Sequence, residues 1–403
     1  MRLPIIPVLI LMLLNMGIDW FIYRAFRQGK QPLLARIHAA FSVLLQLALV
    51  VAVCLPRRSG SDTVLLTVMW MLYGYFSVYI PKLIAALFLL LGRIPRLWHG
   101  RDWRVVPVIG WIVAFAMFVV MWWGALVNRL DWQVVEEEVW FDNLPTAFDG
   151  YRIVQLSDLH VGTYGCDTTY LSKVVDEVNG LHPDVIYFTG DIVNRRSGEL
   201  SPMTGTLSRL KAPGGVYAIL GNHDYGDYSE WESREAKQDN MRLMFDLQDS
   251  MGWRLLLNES EIVKRGNDSI ALIGVENVGD PPFMVYGDLG EAYPSLGDSL
   301  FKILLTHNPA HWVEDIADND SVNVDLALSG HTHAMQMEVD MFGRRFSPSA
   351  WRYPTWGGLY TDKSGRHKLY VNIGMGTVAI PARIGAKPEI TVLTLRKRTD
   401  NGK

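Results

Sequence analysis

Cysteine is nearly absent from this sequence, and so is any excess of positive charge. Only Cys54 and Cys166 occur among 403 residues, and Cys54 falls inside an apolar run, so we expect no disulfide framework. The formal net charge is -4 and the basic residues form no dense patch, so we expect no nucleic-acid partner. Internal repeats and low-complexity tracts are missing as well. These absences argue against a disulfide-stabilised domain and against a nucleic-acid-binding protein.

Long apolar runs are plentiful, but nearly all of them lie in the first third of the chain. Each is long enough to cross a bilayer as a helix, which takes about 20 residues. The runs are Leu3–Tyr23, Ile37–Leu55, Val64–Leu91 and Val105–Val127. No small-residue cleavage site follows the first run, so we interpret it as a retained helix and not as a signal peptide. The sequence therefore predicts a transmembrane domain of about four helices over residues 1–128.

Two of these runs contain residues that do not suit a lipid-facing helix. Asn15 and Asp19 in the first run are costly in lipid, so we expect them to face other helices. Helix packing is the favoured interpretation of these two residues, and a transport role is the alternative. Pro81 and Lys82 interrupt the third run, which predicts a kink or a helix end at that point.

The charges of the short loops predict the orientation of the helices. The first and third loops each carry four basic residues, whereas the middle loop carries two. In loop order they are Arg24, Arg27, Lys30 and Arg36; Arg57 and Arg58; and Arg93, Arg96, Arg101 and Arg104. The positive-inside rule places the first and third loops in the cytoplasm. Both termini are then outside, so the domain predicted over residues 134–398 is expected on the extracytoplasmic face of the cell (inner) membrane. Because the connection from Asn128 to Gln133 is short, we expect this domain close to the lipid surface.

Five clusters of Asp, Asn and His follow short apolar runs in this second domain. Short β-rich runs bounded by turn residues are typical of buried strands, so each cluster falls at a strand end. Strand ends on one edge of an α/β sheet converge on one crevice. The clusters are Ser157-Asp158-Leu159-His160, Thr189-Gly190-Asp191, Gly221-Asn222-His223-Asp224, Thr306-His307-Asn308 and Ser329-Gly330-His331-Thr332-His333.

The order of these clusters resembles the calcineurin-like metallophosphoesterase superfamily and, within it, the membrane-associated bacterial phosphodiesterases. The resemblance covers roughly Val139 to Arg396. It implies an α/β (α+β) sandwich of two mixed sheets flanked by helices, here preceded by a four-helix transmembrane region. The order of elements permits this fold, because four later strand-like runs suggest a second sheet. These runs are Arg254–Leu257, Ile270–Val275, Phe301–Leu305 and Val324–Leu328.

The resemblance also implies a centre of two divalent metal ions. One ion would be held by Asp158, His160, Asp191 and His333. The other would be held by Asp191, Asn222, His307 and His331, with Asp191 bridging the pair. Oxygen and nitrogen ligands without thiolate fit Mn, Fe or Zn, so the identity of the metal stays open. Turn or helix-cap roles for the two aspartates are the alternative.

In the family, the histidine that corresponds to His223 donates a proton to the leaving oxygen or stabilises the phosphoryl group. We expect Asp224 to orient it, and a metal-bound hydroxide to attack. Asn194 is expected beside the site and toward the substrate, with loop capping as the alternative. Arg383 would bind substrate phosphate through its fork of donors, or form an ion pair with Glu389.

The segment from Phe346 to Tyr360 is rich in aromatic residues and would lie either in the membrane interface or in the core. Relatives often have two glycines after the last histidine motif, where this chain has Ala334 and Met335. The resulting prediction is a membrane-tethered, dinuclear-metal phosphodiesterase acting on a lipid-linked or membrane-proximal phosphodiester. Two alternatives stay open. One is an enzyme acting on soluble nucleotides or phosphoproteins, and the other is a catalytically silent metal-binding sensor or scaffold.

Overall fold

The computed structural model describes residues 5–96, 100, 102–279, 284–293 and 299–398. Leu3 and Arg101, on which two of the predictions above depend, lie outside the described residues. The chain divides into two compact units. The first unit comprises residues 1–126 with Ala379–Ala382, and the second comprises residues 127–378 with 383–403.

The first unit is built from four long helices. They are α1 (Ile5–Gln28), α2 (Pro32–Cys54), α3 (Asp62–Leu91) and α4 (Val105–Leu126). All four are long and apolar enough to cross a membrane. The side chain of Ser61 caps α3 by accepting from the backbone N–H of Val64. This helix continues through Pro81, so a helix end at that residue is a wrong prediction. Helices in a membrane tolerate proline because neighbouring groups satisfy the freed carbonyl.

A group of polar residues in the first unit is paired between helices. Lys82 Nζ lies 2.8 Å from Asp19 Oδ1 and 2.9 Å from Ser42 Oγ. The hydroxyl of Tyr79 donates to Asp19 Oδ2 at 2.7 Å. Asn15, on the same helix as Asp19, donates to a tyrosine of α3. The expectation that Asn15 and Asp19 face other helices is confirmed.

The second unit contains two six-stranded sheets within the described residues. The strands are β1 (Gln133–Phe141), β2 (Arg152–Leu156), β3 (Val185–Phe188), β4 (Val216–Ala218), β5 (Trp253–Leu255), β6 (Glu259–Arg265), β7 (Asp268–Gly274), β8 (Phe301–Leu305), β9 (Leu326–Ser329), β10 (Val339–Met341), β11 (Arg344–Phe346), β12 (Gly358–Thr361), β13 (Lys368–Val371) and β14 (Glu389–Lys397). The first sheet has the order β1-β14-β2-β3-β4-β5 and the second has the order β12-β13-β9-β8-β7-β6. Strands β10 and β11 form a separate hairpin.

Both sheets are mixed, which confirms the predicted fold class. Strands β2 to β5 run parallel, and β14 is antiparallel to β2. In the second sheet β7, β8, β9 and β13 run parallel, and both edge strands are antiparallel to their neighbours. The helices of this unit are α5 (Thr169–Gly180), α6 (Thr204–Leu207), α7 (Arg234–Ser250), α8 (Leu289–Ala292) and α9 (Pro309–His311).

The central strands are mostly apolar because both of their faces are buried. Ile153 of β2 packs with Leu272 and Ile303 of the second sheet, in the core between the sheets. The next residue, Val154, packs with Val174 of α5 on the outer face of the first sheet. Successive side chains of a strand point to opposite faces, so the two cores share each strand. A continuous apolar run is the sequence pattern that this arrangement requires.

One strand belongs to a different sheet from the one predicted. The run Arg254–Leu257 was expected in the second sheet, but β5 pairs in parallel with β4 at the edge of the first sheet. The connection between these two strands contains α7. A crossover of this kind returns the chain to the sheet it left, parallel to the preceding strand. The helix itself starts at Arg234, where Ser233 accepts from the backbone N–H of Ala236.

Candidate metal centre

Seven polar side chains meet where strands of both sheets end. The residues that carry them follow the carboxyl ends of three strands of the first sheet and of two strands of the second sheet. In chain order they are Asp158 and His160 after β2, Asp191 after β3, Asn222 after β4, His307 after β8, and His331 and His333 after β9. The crevice expected at one sheet edge is therefore built by both sheets.

Asp158, His160 and His333 form a buried cluster. One ligand atom from each of the three side chains lies within 4.8 Å of the others. His333 Nε2 is 3.1 Å from Asp158 Oδ1 and also 3.1 Å from His160 Nε2. Two imidazole nitrogens and one carboxylate oxygen at this spacing make a ligand set for a divalent cation.

A second cluster is formed by Asp191, His307 and His331, whose ligand atoms also lie within 4.8 Å of one another. The amide oxygen of Asn222 joins them, at 2.9 Å from His331 Nδ1 and 3.1 Å from His307 Nε2. Asp191 Oδ2 lies 3.2 Å from His307 Nε2 and 3.6 Å from His160 Nε2 in the first cluster. This carboxylate therefore reaches groups of both clusters.

Backbone carbonyls fix the direction of two of the imidazoles. His160 Nδ1 lies 3.1 Å from the carbonyl oxygen of Val193, and His307 Nδ1 lies 2.8 Å from that of Thr189. A carbonyl only accepts, so the outer nitrogen carries a proton, and a ring that is otherwise neutral presents the lone pair of its inner Nε2 to the centre. Lone pairs facing each other and facing carboxylates repel unless a cation lies between them. The donor set of this chain thus fits divalent metal ions.

The electrostatics of the two aspartates favour their charged form. Burial by itself would raise the pKa of Asp191, but the imidazoles of His307 and His223 hold that pKa well below its usual range. Burial also opposes ionisation of Asp158, and His333 and His307 overcome it, so that pKa is lowered as well. Both carboxylates are consequently available as anionic ligands.

The imidazoles differ in their tendency to hold a proton. Burial lowers the pKa of His160 well below its ordinary value, and burial together with His307 lowers that of His331 to about 3. Burial acts in the same direction on His307, but the charge of Asp191 outweighs it and raises the pKa of His307 to about 9. Neutral imidazoles are ready ligands, whereas a cation has to displace the proton of His307.

The backbone of the centre is strained at the residues that carry these side chains. Asp158, His160, Asp191, His331 and His333 have φ values of +52°, +43°, +59°, +73° and +49°. Left-handed backbone at a residue other than glycine costs about 1–3 kcal/mol and is concentrated at functional sites. Five such residues in one centre indicate that the surrounding packing imposes this geometry.

Two glycines of the motifs make room for the aspartates. A Cβ atom at Gly330 would lie 2.3 Å from Asp158 Oδ2, and one at Gly221 would lie 2.2 Å from Asp191 Oδ1. Both distances are far below van der Waals contact. The glycines that precede His331 and Asn222 are therefore required by the close approach of the carboxylates.

His223 lies beside the centre and not in either cluster. Its Nδ1 donates to the carbonyl oxygen of Asn194 at 2.6 Å, and its backbone N–H donates to Asp191 Oδ1 at 2.8 Å. The ring stacks on Tyr228 with a centroid distance of 4.2 Å and meets His160 edge-on at 4.8 Å. With Nδ1 committed to a carbonyl, Nε2 is the nitrogen that exchanges protons.

The prediction that Asp224 orients His223 is wrong. The Asp224 carboxylate accepts four backbone N–H groups, those of Asp191, Ile192, Val193 and Gly221, at 2.8 to 3.2 Å. Burial and the charge of Asp191 raise the pKa of Asp224 to about 7. Asp224 thus shapes the loop that presents Asp191, and the orientation of His223 comes from a backbone carbonyl.

Asn194 contributes mainly through its backbone. Its carbonyl holds His223, its N–H donates to Glu199 Oε2 at 2.6 Å, and its side-chain amide donates to Thr163 Oγ1 at 3.3 Å. The residue is buried. Asn194 therefore lies beside His223, and a role of its side chain toward the substrate stays a prediction.

The prediction that Arg383 binds substrate phosphate is also wrong. Its side chain is fully buried, and its guanidinium donates to four backbone carbonyls. The acceptors are Gly376, Ala386, Ile373 and Gly374, at 2.9 to 3.3 Å. The carboxylate of Glu389, considered above as an ion-pair partner, accepts from the hydroxyls of Tyr370 and Thr391. Arg383 therefore stabilises the backbone that passes behind His333.

Two tyrosines of the site were not identified from the sequence. The amide of Asn222 donates to the Tyr228 hydroxyl at 2.8 Å, and His331 Nε2 lies 2.9 Å from the Tyr353 hydroxyl. The only available signal was their position, six residues after a ligand motif for Tyr228 and inside the aromatic segment for Tyr353. That segment is divided between core and surface: Trp356 packs against Ala334 in a small core, whereas Trp351 is 91% exposed.

Known families match both parts of the chain. The profile "Calcineurin-like phosphoesterase" matches residues 151–335, and "Probable Calcineurin-like phosphoesterase, transmembrane domain" matches residues 1–129. The "Uncharacterized metallophosphoesterase YkuE" of Bacillus subtilis is 32% identical over 261 residues, which are 63% of this chain and 82% of that protein. Together with the geometry above, these matches show that the chain belongs to the calcineurin-like metallophosphoesterase family.

Two further relatives contribute to a more specific description. The "Transmembrane protein with metallophosphoesterase domain" of Danio rerio is 31% identical over 66% of this chain, which spans 57% of that protein. The "UDP-2,3-diacylglucosamine pyrophosphatase LpxG" of Chlamydia muridarum is 29% identical over 71% of this chain and 93% of that protein. The chain is a membrane-associated, metal-dependent phosphoester hydrolase.

Proposed function

We propose that this protein is a dinuclear-metal phosphodiesterase of the cell (inner) membrane that acts on a lipid-linked or membrane-proximal phosphodiester. The boundary between its transmembrane and catalytic domains is proposed at residues 128–134. The observation that carries the proposal is the reach of Asp191 Oδ2 to His307 in one ligand cluster and to His160 in the other. A carboxylate in that position suits the bridge between two ions.

The two clusters supply the proposed ligands of each ion. Asp158, His160, Asp191 and His333 would hold the first ion, and Asp191, Asn222, His307 and His331 would hold the second. When bound, two such ions polarise a phosphoryl oxygen and lower the pKa of a coordinated water to about 7. The ligand types suit Mn, Fe or Zn, and the abundance of the metal in the cell decides among them.

His223 is the proposed general acid. Its Nδ1–H is held by the Asn194 carbonyl at 2.6 Å, so the ring cannot present that nitrogen to the substrate. Protonated Nε2 then gives its proton to the leaving alkoxide oxygen, and a water proton later restores it. General acid catalysis of this kind contributes about 10²–10⁴-fold to the rate. The stacking of Tyr228 on the ring supports a fixed orientation.

The membrane region supports the choice of substrate. Four helices long enough to cross a bilayer precede the catalytic unit, and only six residues, 127–132, separate α4 from β1. The printed name of the Chlamydia muridarum relative refers to a diacylated substrate with a pyrophosphate. By analogy we infer a substrate with a lipid part, here a phosphodiester attached to a lipid. The loop charges favour an extracytoplasmic active site, which argues against a nucleotide-linked substrate made in the cytoplasm.

The test uses full-length protein purified in detergent and loaded with Mn²⁺. Turnover of bis(p-nitrophenyl) phosphate is compared with turnover of vesicle-embedded phospholipid, for the wild type and for Asp191→Ala and His223→Ala. The proposal expects turnover by the wild type and its loss in both variants. Asp191→Ala should also lose metal, whereas His223→Ala should retain it. His182→Asn, a change at a loop histidine outside both clusters, is the matched control and should behave as the wild type.

Metal content measured on the same samples separates this proposal from its rivals. Two bound ions without turnover of any phosphoester would support the silent sensor. Turnover of soluble nucleotides or phosphopeptides that greatly exceeds turnover of lipid would support the soluble-substrate enzyme. Either result rejects the lipid phosphodiesterase.

A further inference from the structure

The hairpin of β10 and β11 carries an apolar surface that the described structure leaves uncovered. We define the hairpin tip surface as Val339, Met341, Phe342 and Phe346 of the hairpin, together with Trp351 of the turn Pro348–Trp351 that follows β11. Phe342 and Trp351 are 104% and 91% exposed, the highest values for aromatic residues among the described part of the second unit. Exposed apolar surface of this kind marks a contact with another molecule or with a membrane.

The register of the hairpin places its apolar residues on one face. Val339 is opposite Phe346, and Met341 is opposite Arg344, so these four side chains share a face. The other face carries Asp340 opposite Arg345. One face of this two-stranded ribbon is thus apolar except for Arg344, and the other face is polar.

The polar face is already engaged within the protein. The Arg345 guanidinium forms a bidentate ion pair with the Glu338 carboxylate and lies 5.1 Å from the centre of the Trp356 ring. Both faces of the ribbon are exposed, and the apolar side chains Val339, Met341 and Phe346 are 49% to 55% exposed. Because Arg345 is paired within the protein, the apolar face is the one that offers itself for a contact with another molecule.

Turn chemistry does not account for the phenylalanine at the tip. Phe342 and Gly343 have φ values of +58° and +73°, as in the two-residue turn that favours Asn-Gly. A phenylalanine in that backbone conformation is strained and gains no burial from its own chain. A contact outside the described structure would supply the burial that compensates for this cost.

A lipid surface is the occupant that the rest of the chain indicates. The same polypeptide carries four helices long enough to span a bilayer. The six residues between α4 and β1 can bridge no more than about 20 Å, so the first strand of the catalytic unit begins within that distance of the end of a membrane-length helix. The tip combines Phe and Trp with the exposed cationic side chains of Arg344 and Arg352. Aromatic rings at the interface with arginines nearby suit anionic head groups.

The hairpin is also connected to the metal centre. It begins six residues after His333, and Ser347, directly after β11, donates to the carbonyl of Ala334 at 2.6 Å. Further along the same segment, the Tyr353 hydroxyl lies 2.9 Å from His331 Nε2. A membrane contact at the tip would therefore hold both histidines close to the lipid surface.

We propose that the hairpin tip surface inserts into the lipid interface and holds the metal centre beside the membrane. Its substrates are then phosphodiesters whose lipid part stays in the bilayer. The proposed insertion is argued without reference to enzyme activity. The statement about the substrates, which we call the substrate clause, rests on the function proposed above.

Insertion depth is measured on the full chain reconstituted in vesicles of phosphatidylcholine and phosphatidylglycerol. In a Cys54→Ala, Cys166→Ser background, a fluorescent label is attached at Phe342→Cys. The matched control is Lys363→Cys, whose native side chain is 90% exposed on the same unit. We expect lipids brominated on their acyl chains to quench the label at 342 and not the label at 363. Iodide in the buffer should quench the label at 363 much more than the label at 342.

Two results would overturn the insertion. Equal quenching of both labels by iodide would place the tip in water. A label at 342 that is shielded from both quenchers would mean that protein, either a second copy or another partner, covers the surface.

The substrate clause has its own readout, the ratio of turnover on vesicle-embedded phospholipid to turnover on bis(p-nitrophenyl) phosphate. Phe342→Ser combined with Trp351→Ser should lower this ratio about tenfold, because two large apolar side chains no longer enter the interface. Phe245→Ser, which removes a partly exposed ring from α7, should leave the ratio unchanged. An unchanged ratio in the double variant rejects the clause. If the wild type hydrolysed neither substrate, the proposed function would fail, while the label depths would still decide insertion.

Discussion

The Nδ1 atom of His223 lies 2.6 Å from the carbonyl oxygen of Asn194, three residues beyond Asp191 in the chain. This contact ties the proposed proton donor to the loop that carries the proposed bridging carboxylate. The backbone N–H of His223 also donates to Asp191 Oδ1 at 2.8 Å. The acid and the bridge are therefore positioned by one shared piece of backbone.

The first prediction concerns this pair. His223→Ala should lower kcat by about 10²–10⁴-fold and leave the metal content unchanged, because the ring donates a proton and binds no ion. Asn194→Ala should cost far less, since its contact with His223 comes from a backbone carbonyl that alanine retains. Steady-state kinetics and metal analysis of both variants check this. Equal losses in the two variants would mean that the Asn194 side chain acts on the substrate.

The sequence could predict where the site residues lie along the strands, but not how each of them is used. Asp158 and Asp191 follow apolar runs, and strand ends are readable from that local pattern. The roles of Asp224 and Arg383 were predicted wrongly because burial and backbone acceptors depend on distant parts of the chain. Arg383, for example, is fully buried among carbonyls, although its charge alone suggests a phosphate ligand.

The same limit applies to the fold. Strands β2, β3 and β8 are buried on both faces, so each appears in the sequence as a short, mostly apolar run that is recognisable as a buried strand. The sheet to which β5 belongs depends on a crossover through α7, which propensity does not reveal. The contact of Tyr353 with His331 likewise depends on the path of a long irregular segment. Long-range packing, and not local preference, decides these features.

A second prediction tests the close approach behind the first ligand cluster. Gly330→Ala would place a Cβ atom 2.0 Å from Ser157 Oγ and 2.3 Å from Asp158 Oδ2, so the carboxylate has to move. We expect the purified variant to bind less metal and to lose most of its activity. Gly198→Ala is the control, because a Cβ there meets no atom within 4 Å. Full metal content in the Gly330 variant would show that Asp158 is not held against this backbone.

A third prediction concerns the tyrosine that touches a proposed ligand. Tyr353→Phe removes the hydroxyl that lies 2.9 Å from His331 Nε2 and should weaken metal binding by about 10–100-fold, the usual effect of losing a partner behind a ligand. Isothermal titration calorimetry with the metal ion measures the change in dissociation constant. Tyr217→Phe, a ring that packs on Tyr187 in the sheet, is the matched control. Unaltered affinity in Tyr353→Phe would mean that water replaces the hydroxyl.

The last prediction concerns the ion pair between Lys82 and Asp19 in the helical unit. Lys82 Nζ lies 2.8 Å from Asp19 Oδ1, and both side chains are nearly buried, at 9% and 12% exposure. Lys82→Met leaves the carboxylate without its cation and should destabilise the unit by about 3–5 kcal/mol. Replacing both residues, with Asp19→Leu and Lys82→Met, removes the unpaired charge and should recover most of that loss. Thermal unfolding in detergent compares the single and double variants. A double variant that is no more stable than Lys82→Met alone would contradict this. The hydrogen bonds of Asp19 with Tyr79 and of Lys82 with Ser42 would then contribute to stability beyond the pairing of the two charges.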